Sequence, residues 1–346
     1  MPFSAAEIEN AANATLEWRM DRGKTHKQSI QAKPLYDFMV SKQKTFPGGK
    51  DYLTGTAKGD YTTTVMGFQH DDSVTYQNPT NLKQFSYPWK LLHAGISFTK
   101  HELIKSGISV TDNDGKSTSQ HSKSEEIVLA NLLEDKIDDM MEGWERGMNT
   151  MFWRDGTQDS NEIPGIRSFI LNDPTSATVV GSIDQSANTW WRNRANVGFS
   201  QGSTASDLTV VNLLQKEFRQ LRRYGGNPTK GFAGSDFLEW MEKELRSKGN
   251  FTLNGWDKGK MDMSTADIEF KGVTFEYDPS LDDLGLAKYL YLIDPKTVHP
   301  MVVEGEDMQK HNPARPENKY VFYRAITYVG GLVCKQRNAN GVYSIT

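Results

Sequence analysis

The sequence predicts an α+β protein in which helices and strands keep to separate stretches of chain. Three observations support that class. One amphipathic helical pattern runs without a proline through residues 122–155. Threonine- and aromatic-rich extended stretches occupy 61–68 and 85–98. The region after residue 265 is mostly β, with its strongest strand signal at 320–335.

Residues 1–50 read as an arm. Ser4 and Glu7 form a capping box for a helix over 4–20, with Ile8, Ala12, Leu16 and Met20 on one face. A second short helix begins at Pro34 and runs to about residue 42, and Pro47-Gly48-Gly49 breaks the chain. From residue 19 to 50 the arm carries Arg19, Arg22, Lys24, Lys27, Lys33, Lys42, Lys44 and Lys50 against Asp21 and Asp37. Residues 51–107 read as a thin two-stranded projection with a polar tip containing Asn78-Pro79, and Pro88 makes the second strand an edge or a bent one. An isolated hairpin is marginal in water, so the projection is expected to lie on something else.

The long helix starts at a capping box, Ser122 and Glu125. Ile127, Ala130, Leu133, Ile137, Met140, Met141, Trp144, Met148, Met151 and Phe152 then recur at helical spacing. At ~1.5 Å per residue it is roughly 50 Å long. A second helix is expected over 208–224, with Leu208, Val211, Leu214, Phe218 and Leu221 inward and Gly225-Gly226 at its end. A short strand, 231–234, leads to a third helix over 236–247 with Phe237, Trp240, Met241 and Leu245 inward. Residues 268–277 read as a hairpin turning at Lys271-Gly272, and 290–293 as an apolar strand closed by Asp294-Pro295.

Composition narrows the function. The 346 residues suffice for one large domain or two ordinary ones. A formal net charge of −4 argues against a protein whose main task is coating nucleic acid. No apolar run approaches the ~18 residues of a membrane span, so no membrane partner is expected. The first residues lack the apolar core of a signal peptide. The single cysteine, Cys334, excludes an intrachain disulfide framework and fits a protein made in a reducing cytoplasm.

Catalytic equipment is sparse. Gly198-Phe199-Ser200-Gln201-Gly202 matches G-x-S-x-G, but no apolar strand precedes the serine and no helix directly follows it, so a polar loop is expected. Asp112-Asn113-Asp114-Gly115 fails as a calcium loop because Val110 and His121 fall where carboxylates are needed. The seven histidines form no zinc-binding pair. Glu134, Asp135, Asp138, Asp139, Glu142 and Glu145 give the long helix an acidic face without the histidine partners of a carboxylate metal site, so a solvated face is expected. No cofactor, metal or catalytic residue is predicted. Gly143 and Gly147 leave two readings open: tolerated helix glycines, or a smooth patch for close approach of another backbone.

Three local patterns carry a resemblance. The first runs from Pro164-Gly165-Ile166 through Gly181-Ser182-Ile183-Asp184 to Trp190-Trp191-Arg192-Asn193. The second is Gly225-Gly226-Asn227-Pro228 before a strand and Phe237-Leu238, and the third is Tyr291-Leu292-Ile293-Asp294-Pro295. With the order of elements, these resemble tailed-bacteriophage major capsid proteins of the Hong Kong 97 type over nearly the whole chain.

The resemblance implies an N-terminal arm (1–50), an extended β loop (51–107), a peripheral domain (108–165) with spine helix 122–155, a compact α/β axial domain (166–265) and mainly peripheral-domain strands (266–346). It implies self-assembly into pentamers and hexamers of an icosahedral head around double-stranded DNA, in a virion built in the host bacterial cytoplasm. Portal, scaffolding and decoration proteins are the further partners it implies. An arm of about 50 residues is too short for a cleaved scaffolding segment, which suggests a separate scaffold or none.

Lys24, Lys27 and Lys33, Lys83 on the projection, Gly143 and Gly147, and Trp190, Trp191 and Arg192 are the expected assembly residues. The basic arm is expected to dock on an acidic surface, with the spine's carboxylates the leading candidate. Weak, sequence-blind DNA contact is expected at Arg192 and Arg194, or at Arg219, Arg222 and Arg223. Two alternatives are a serine hydrolase using Ser200 and a non-viral protein-compartment shell of the same fold.

Overall fold

The computed structural model describes residues 3–4, 8, 11, 31–106, 110–111, 123–247, 268–311, 313 and 320–346. They fall into two compact units. One comprises Met1–Gln31, Leu91–Met148 and Glu304–Val329; the other comprises Ala32–Lys90, Asn149–Val303 and Gly330–Thr346.

The larger unit is organised by a six-stranded sheet, in the order Ile268–Phe270, Val273–Tyr277, Lys230–Ala233, Tyr289–Ile293, Gly341–Ile345 and Arg194–Phe199. Its outer strand pairs are Ile268–Phe270 antiparallel to Val273–Tyr277 and Gly341–Ile345 parallel to Arg194–Phe199. Lys271 and Gly272 both take positive φ (54° and 80°), the twist a two-residue hairpin needs, so the expected turn forms where it was read. The sheet draws strands from both 166–265 and 266–346.

Two helices cover one face. Thr209–Arg222 places Val210, Leu214, Phe218 and Leu221 inward at helical spacing, and Ser235–Ser247 adds Phe237 and Met241. They meet Ala233, Val273, Phe275, Leu290, Leu292 and Tyr343 from the sheet. The first helix begins after Leu208, which sits at φ 53° and has no oxygen to cap with. Glu244 from the second helix supplies the cap. Its buried carboxylate accepts from Val210 N (3.1 Å), Val211 N (3.0 Å) and Trp240 Nε1 (2.9 Å). Two of the amide donors that a helix start leaves open are thus satisfied from outside the helix.

On the other face the helix Pro34–Ser41 and the end of the long helix Lys123–Trp153 bring an aromatic cluster: Phe38 to Phe232 (5.5 Å), Trp153 to Phe232 (6.0 Å) and Trp153 to Tyr291 (5.0 Å). A polar knot fixes them. Buried Asp278 accepts from Trp153 Nε1 (2.7 Å), Asn149 Nδ2 (3.1 Å) and Ser280 N (2.9 Å), while Asn149 Oδ1 accepts from Tyr36 N (2.8 Å). Burial raises the Asp278 carboxyl above its ordinary range, against those hydrogen bonds.

The strand Val298–Val303 pairs with Gly330–Cys334 on one side and Lys44–Phe46 on the other. His299 in it is fully buried, and neither ring nitrogen has a hydrogen-bond partner among the described residues. Burial, with Lys44 and Lys335 nearby, holds its pKa down at about 4 instead of 6.5. The unfolded chain therefore takes up this proton first, and stability falls as pH drops from 6.5 through 4. The loss across that window is roughly 3 kcal/mol. Urea midpoints of the native chain and His299→Gln, compared from pH 7 to 4, should differ in slope, with the variant flatter.

In the smaller unit the long helix buries Leu129, Leu133, Ile137, Met140, Trp144 and Met148, one stripe at spacings of three and four. Leu129 and Leu133 pack with Ile8, Phe98, Leu103 and Phe322, and Trp144 meets Tyr328 at 6.0 Å. Gln309–His311 pairs antiparallel with Ala325–Thr327. Lys136 bridges Glu102 at 2.7 Å, and that hydrogen bond lowers the Glu102 carboxyl.

Two sequence expectations shift. The helix is Lys123–Trp153, and its Ser122 cap lies outside the described residues. Most of the helix expected over 4–20 also lies outside them; Ser4, its expected cap, closes the two-residue strand Phe3–Ser4.

Candidate functional site

The projection is a ribbon of Tyr52–Lys58 antiparallel to Leu82–Pro88, from Tyr52 opposite Pro88 to Lys58 opposite Leu82. Its foot is anchored. Leu53, Ala57, Phe85 and Tyr87 are buried; Phe85 stacks on Trp191 at 6.0 Å, and Tyr87 meets Phe169 edge-on at 5.5 Å. Tyr87 Oη donates to Cys334 O at 3.0 Å. Gly55 is required here, because an added Cβ would stand 2.4 Å from the Phe85 ring.

Beyond the foot the character changes. Every residue from 60 to 80 is exposed. The strand expected over 61–68 does not form, because β-propensity stabilises only where a face has something to pack on. The apolar side chains there stand in solvent: Tyr61 75 %, Val65 104 %, Phe68 70 % and Tyr76 93 % exposed. The short hydrogen bonds at the tip are local, as between Gln69 N and Asp72 Oδ2 at 2.8 Å.

The other expected assembly residues separate into groups. Lys83 is exposed on the ribbon opposite Ala57. Lys24 and Lys27 lie outside the described residues, whereas Lys33 is buried at the start of Pro34–Ser41 and is not the exposed cation the arm was expected to offer. Of the acidic face, Asp135 and Asp139 are exposed and Asp138 is buried. No group of three metal-ligating side chains occurs among the described residues.

Gly143 and Gly147 are exposed, and a Cβ on either meets nothing within 4 Å. No neighbour among the described residues explains them. Gly143→Ala should therefore stabilise the subunit by about 0.5–1 kcal/mol, the usual cost of a helix-interior glycine. Gly143→Leu should leave the unfolding midpoint no lower yet reduce particle yield in a sedimentation assay. Undiminished yield would leave only the tolerated-glycine reading.

Trp190, Trp191 and Arg192 do not form one surface patch. Trp191 is buried, donating from Nε1 to Val180 O at 3.0 Å, so its role is core packing under the ribbon. Trp190 is half-buried against Gly59. Arg192 donates to Gln185 O (2.8 Å) and Ser186 O (3.0 Å). Arg192 and Trp190 line a cleft of about 830 Å³ to which Lys58, Arg194, Arg223, Lys335 and Arg337 also contribute. Of its cations, Arg192, Arg194 and Arg223 are the ones the sequence singles out. Arg219 and Arg222 are elsewhere, donating to Gln215 O and Lys271 O.

A strand, Arg194–Phe199, does run up to Ser200, but among the described residues nothing completes a nucleophile site around it. Ser200 is exposed and its hydroxyl contacts the Gln201 carbonyl at 3.5 Å, not a base. Cys334 is buried, and burial pushes its thiol up to about 12, the behaviour of an inert core cysteine.

No protein-family profile and no curated protein matches the sequence. Solved structures do match. The chain is similar to the subunit in the cyanophage A-1(L) capsid asymmetric unit, at 13% identity with a TM-score of 0.64, over 93% of this chain and 95% of that one. The capsid of Myoviridae phage XM1 matches at 12% identity and TM-score 0.54, over 93% and 95%. The capsid of a native GTA particle matches at 12% identity and TM-score 0.55, over 94% of each chain. The mixed helix-and-sheet fold described above is therefore the phage capsid fold. No helix among the described residues is long and apolar enough to cross a membrane.

Proposed function

We propose that this chain is a major capsid protein: a shell subunit of the Hong Kong 97 type that assembles with copies of itself into pentamers and hexamers of an icosahedral phage head. In this reading the ribbon of Tyr52–Lys58 and Leu82–Pro88, with the segment between them, corresponds to that fold's extended loop, and Lys123–Trp153 to its spine helix. The single observation that carries the reading is the exposed segment 60–80, with its apolar side chains in solvent on an anchored foot. A lone soluble subunit gains nothing from that arrangement. Many identical copies, each covering its neighbour's loop through heterologous contacts that close into rings, give it burial. The role is structural, and the fold shared over most of the chain with capsid subunits supports it. Double-stranded DNA inside the shell, a portal, and scaffolding or decoration proteins complete the assembly in this reading, located in the virion after assembly in the host cytoplasm.

Negative-stain microscopy of the purified protein, alone and co-expressed with candidate scaffold, is the test. Closed shells are the expected result. A monodisperse monomer under every condition, with esterase activity lost in Ser200→Ala, would establish the hydrolase instead. Shells that enclose protein cargo and no DNA would establish a compartment.

A further inference from the structure

The cleft beside the foot of the ribbon has walls that carry Lys58, Arg192, Arg194, Arg223, Lys335 and Arg337 against one carboxylate, Asp60. Among the described residues, Arg194 alone of these cations is held by an acid: Glu217 receives its Nε and Nη2 at 3.0 and 2.9 Å. The others are held differently. Arg192 is fixed by two backbone carbonyls, and Arg337 by two carbonyls and two side-chain amide oxygens. Lys58 and Arg223 lie over the rings of Tyr61 and Tyr224, 4.9 and 5.4 Å from their centroids. Carbonyls and ring faces orient a cation without cancelling its charge. Asp173 and Asp184 are the further carboxylates near Arg192, and hydrogen bonds from Thr175 and Ser186 are the first cause that holds their carboxyls low. The cleft thus carries a net excess of cations in a chain whose formal charge is −4, and a concave site with such an excess concentrates anions.

The neutral lining adds a second property. Thr56, Thr189 and Asn338 offer hydroxyl and amide donors, whereas Gln336 Nε2 is engaged by Tyr224 O and Asn338 Oδ1. With lysine, arginine and tyrosine they belong to the set that contacts phosphate and sugar in nucleic-acid complexes. Tyr61, Trp190 and Tyr224 bring aromatic faces to the same rim. Lys58 and Arg223 cover one face each of Tyr61 and Tyr224; an acidic peptide answers the charge and leaves the opposite faces and Trp190 without a stacking partner, whereas a nucleotide strand answers both.

We infer that this cleft binds the phosphodiester backbone of nucleic acid without regard to sequence. The inference rests on the shell reading for its partner, an enclosed genome, and adds the place on the subunit where contact is made. Contact through a few cations is weak and salt-sensitive, because affinity comes from counter-ion release.

The test titrates a fluorescent DNA duplex and a fluorescent single strand of the same length with unassembled native protein, from roughly 50 to 200 mM salt. Lys58→Gln/Arg223→Gln/Lys335→Gln removes three exposed cleft cations and spares the buried Arg337. Lys105→Gln/Lys216→Gln/Lys296→Gln makes the same change of charge at exposed positions off the cleft. Expected is at least tenfold weaker binding in the cleft variant at low salt and a salt slope shallower by about 2. The control variant stays near native. Preference for the duplex identifies a packaged duplex as the source, and preference for the single strand identifies stacking on the rim.

Equal losses in both variants, or tighter cleft-dependent binding of polyglutamate than of either DNA, overturns the assignment. Particle formation is scored separately. Native protein that never forms particles removes the shell reading while the oligonucleotide result stands. Particles lost in the cleft variant with DNA affinity intact make the cleft a contact between subunits and refute the inference.

Discussion

A chain in which Tyr61, Val65, Phe68 and Tyr76 are all serine should unfold at the same urea concentration as the native protein and should form no shells. The first half follows from exposure. These side chains touch little of their own subunit, and surface substitutions away from packed features change stability by less than about 0.5 kcal/mol. The second half follows from what each stands to gain in a shell. Full burial of one large apolar side chain contributes about 1.5–3 kcal/mol, so four of them represent several kcal/mol per subunit contact, repeated around every ring. The foot of the ribbon supplies the contrast. Phe85→Ser removes a buried ring stacked on Trp191, and should cost the isolated subunit about 3–5 kcal/mol, as for a core Phe→Ala. Light scattering during assembly, beside urea unfolding of the unassembled protein, reads both. A lowered midpoint in the four-serine chain would mean that the loop packs on its own body. Normal shells from it would mean that the loop is not the contact, and the proposed function would lose its main support.

The helices and late strands were legible because their signals are local. Val210, Leu214, Phe218 and Leu221 repeat at helical spacing, and Lys271-Gly272 carries the backbone preference its turn demands. What the sequence concealed depends on partners far away along the chain. The ribbon's ladder is Tyr52–Lys58 with Leu82–Pro88, not 61–68, because register is set by where Phe85 and Tyr87 find Trp191 and Phe169. A threonine-rich stretch looks like a strand whether or not anything lies beneath it. The expected interface tryptophan, Trp191, is core for the same reason. The cleft was half visible: Arg192 and Arg223 were singled out, but Lys58 and Lys335 reach it from segments with no shared pattern, and only the fold brings them together. Arg337 carried no signal at all, yet it organises the passage on which the family resemblance most depends.

Arg337 is 1 % exposed, and its guanidinium donates to Phe169 O (2.7 Å), Trp191 O (3.1 Å), Gln185 Oε1 (3.0 Å) and Asn193 Oδ1 (3.0 Å). Those acceptors come from three separate stretches of the Pro164–Asn193 passage, so one side chain near the C-terminus ties the segment beneath the ribbon into a single piece. Asn193 extends the knot, accepting from Leu171 N (3.1 Å) and donating to Leu171 O (2.8 Å). Burial without a carboxylate partner depresses the guanidinium's own pKa, and its planar fork of donors is what makes the site tolerable. Arg337→Met fills much of the same volume but strands the carbonyls of Phe169 and Trp191 and the amide oxygen of Gln185; Asn193 keeps Leu171 N. Each buried unsatisfied polar group costs about 1–3 kcal/mol, so three of them give an expected loss of roughly 3–9 kcal/mol, reduced by the relief of no longer burying a charge. Arg337→Lys keeps the charge but has three donors on a flexible stem where four fixed bonds are made, so it should recover only part of that loss. Urea unfolding of the three proteins should order them native, lysine, methionine, and the methionine variant should expose the Gly181–Ser182 turn to protease first. A methionine variant as stable as the native chain would mean that these four hydrogen bonds merely offset the cost of burying the charge, as replacing whole buried ion pairs by apolar residues has shown in other proteins. The ribbon would then owe its anchorage to Phe85, Tyr87 and Trp191 alone.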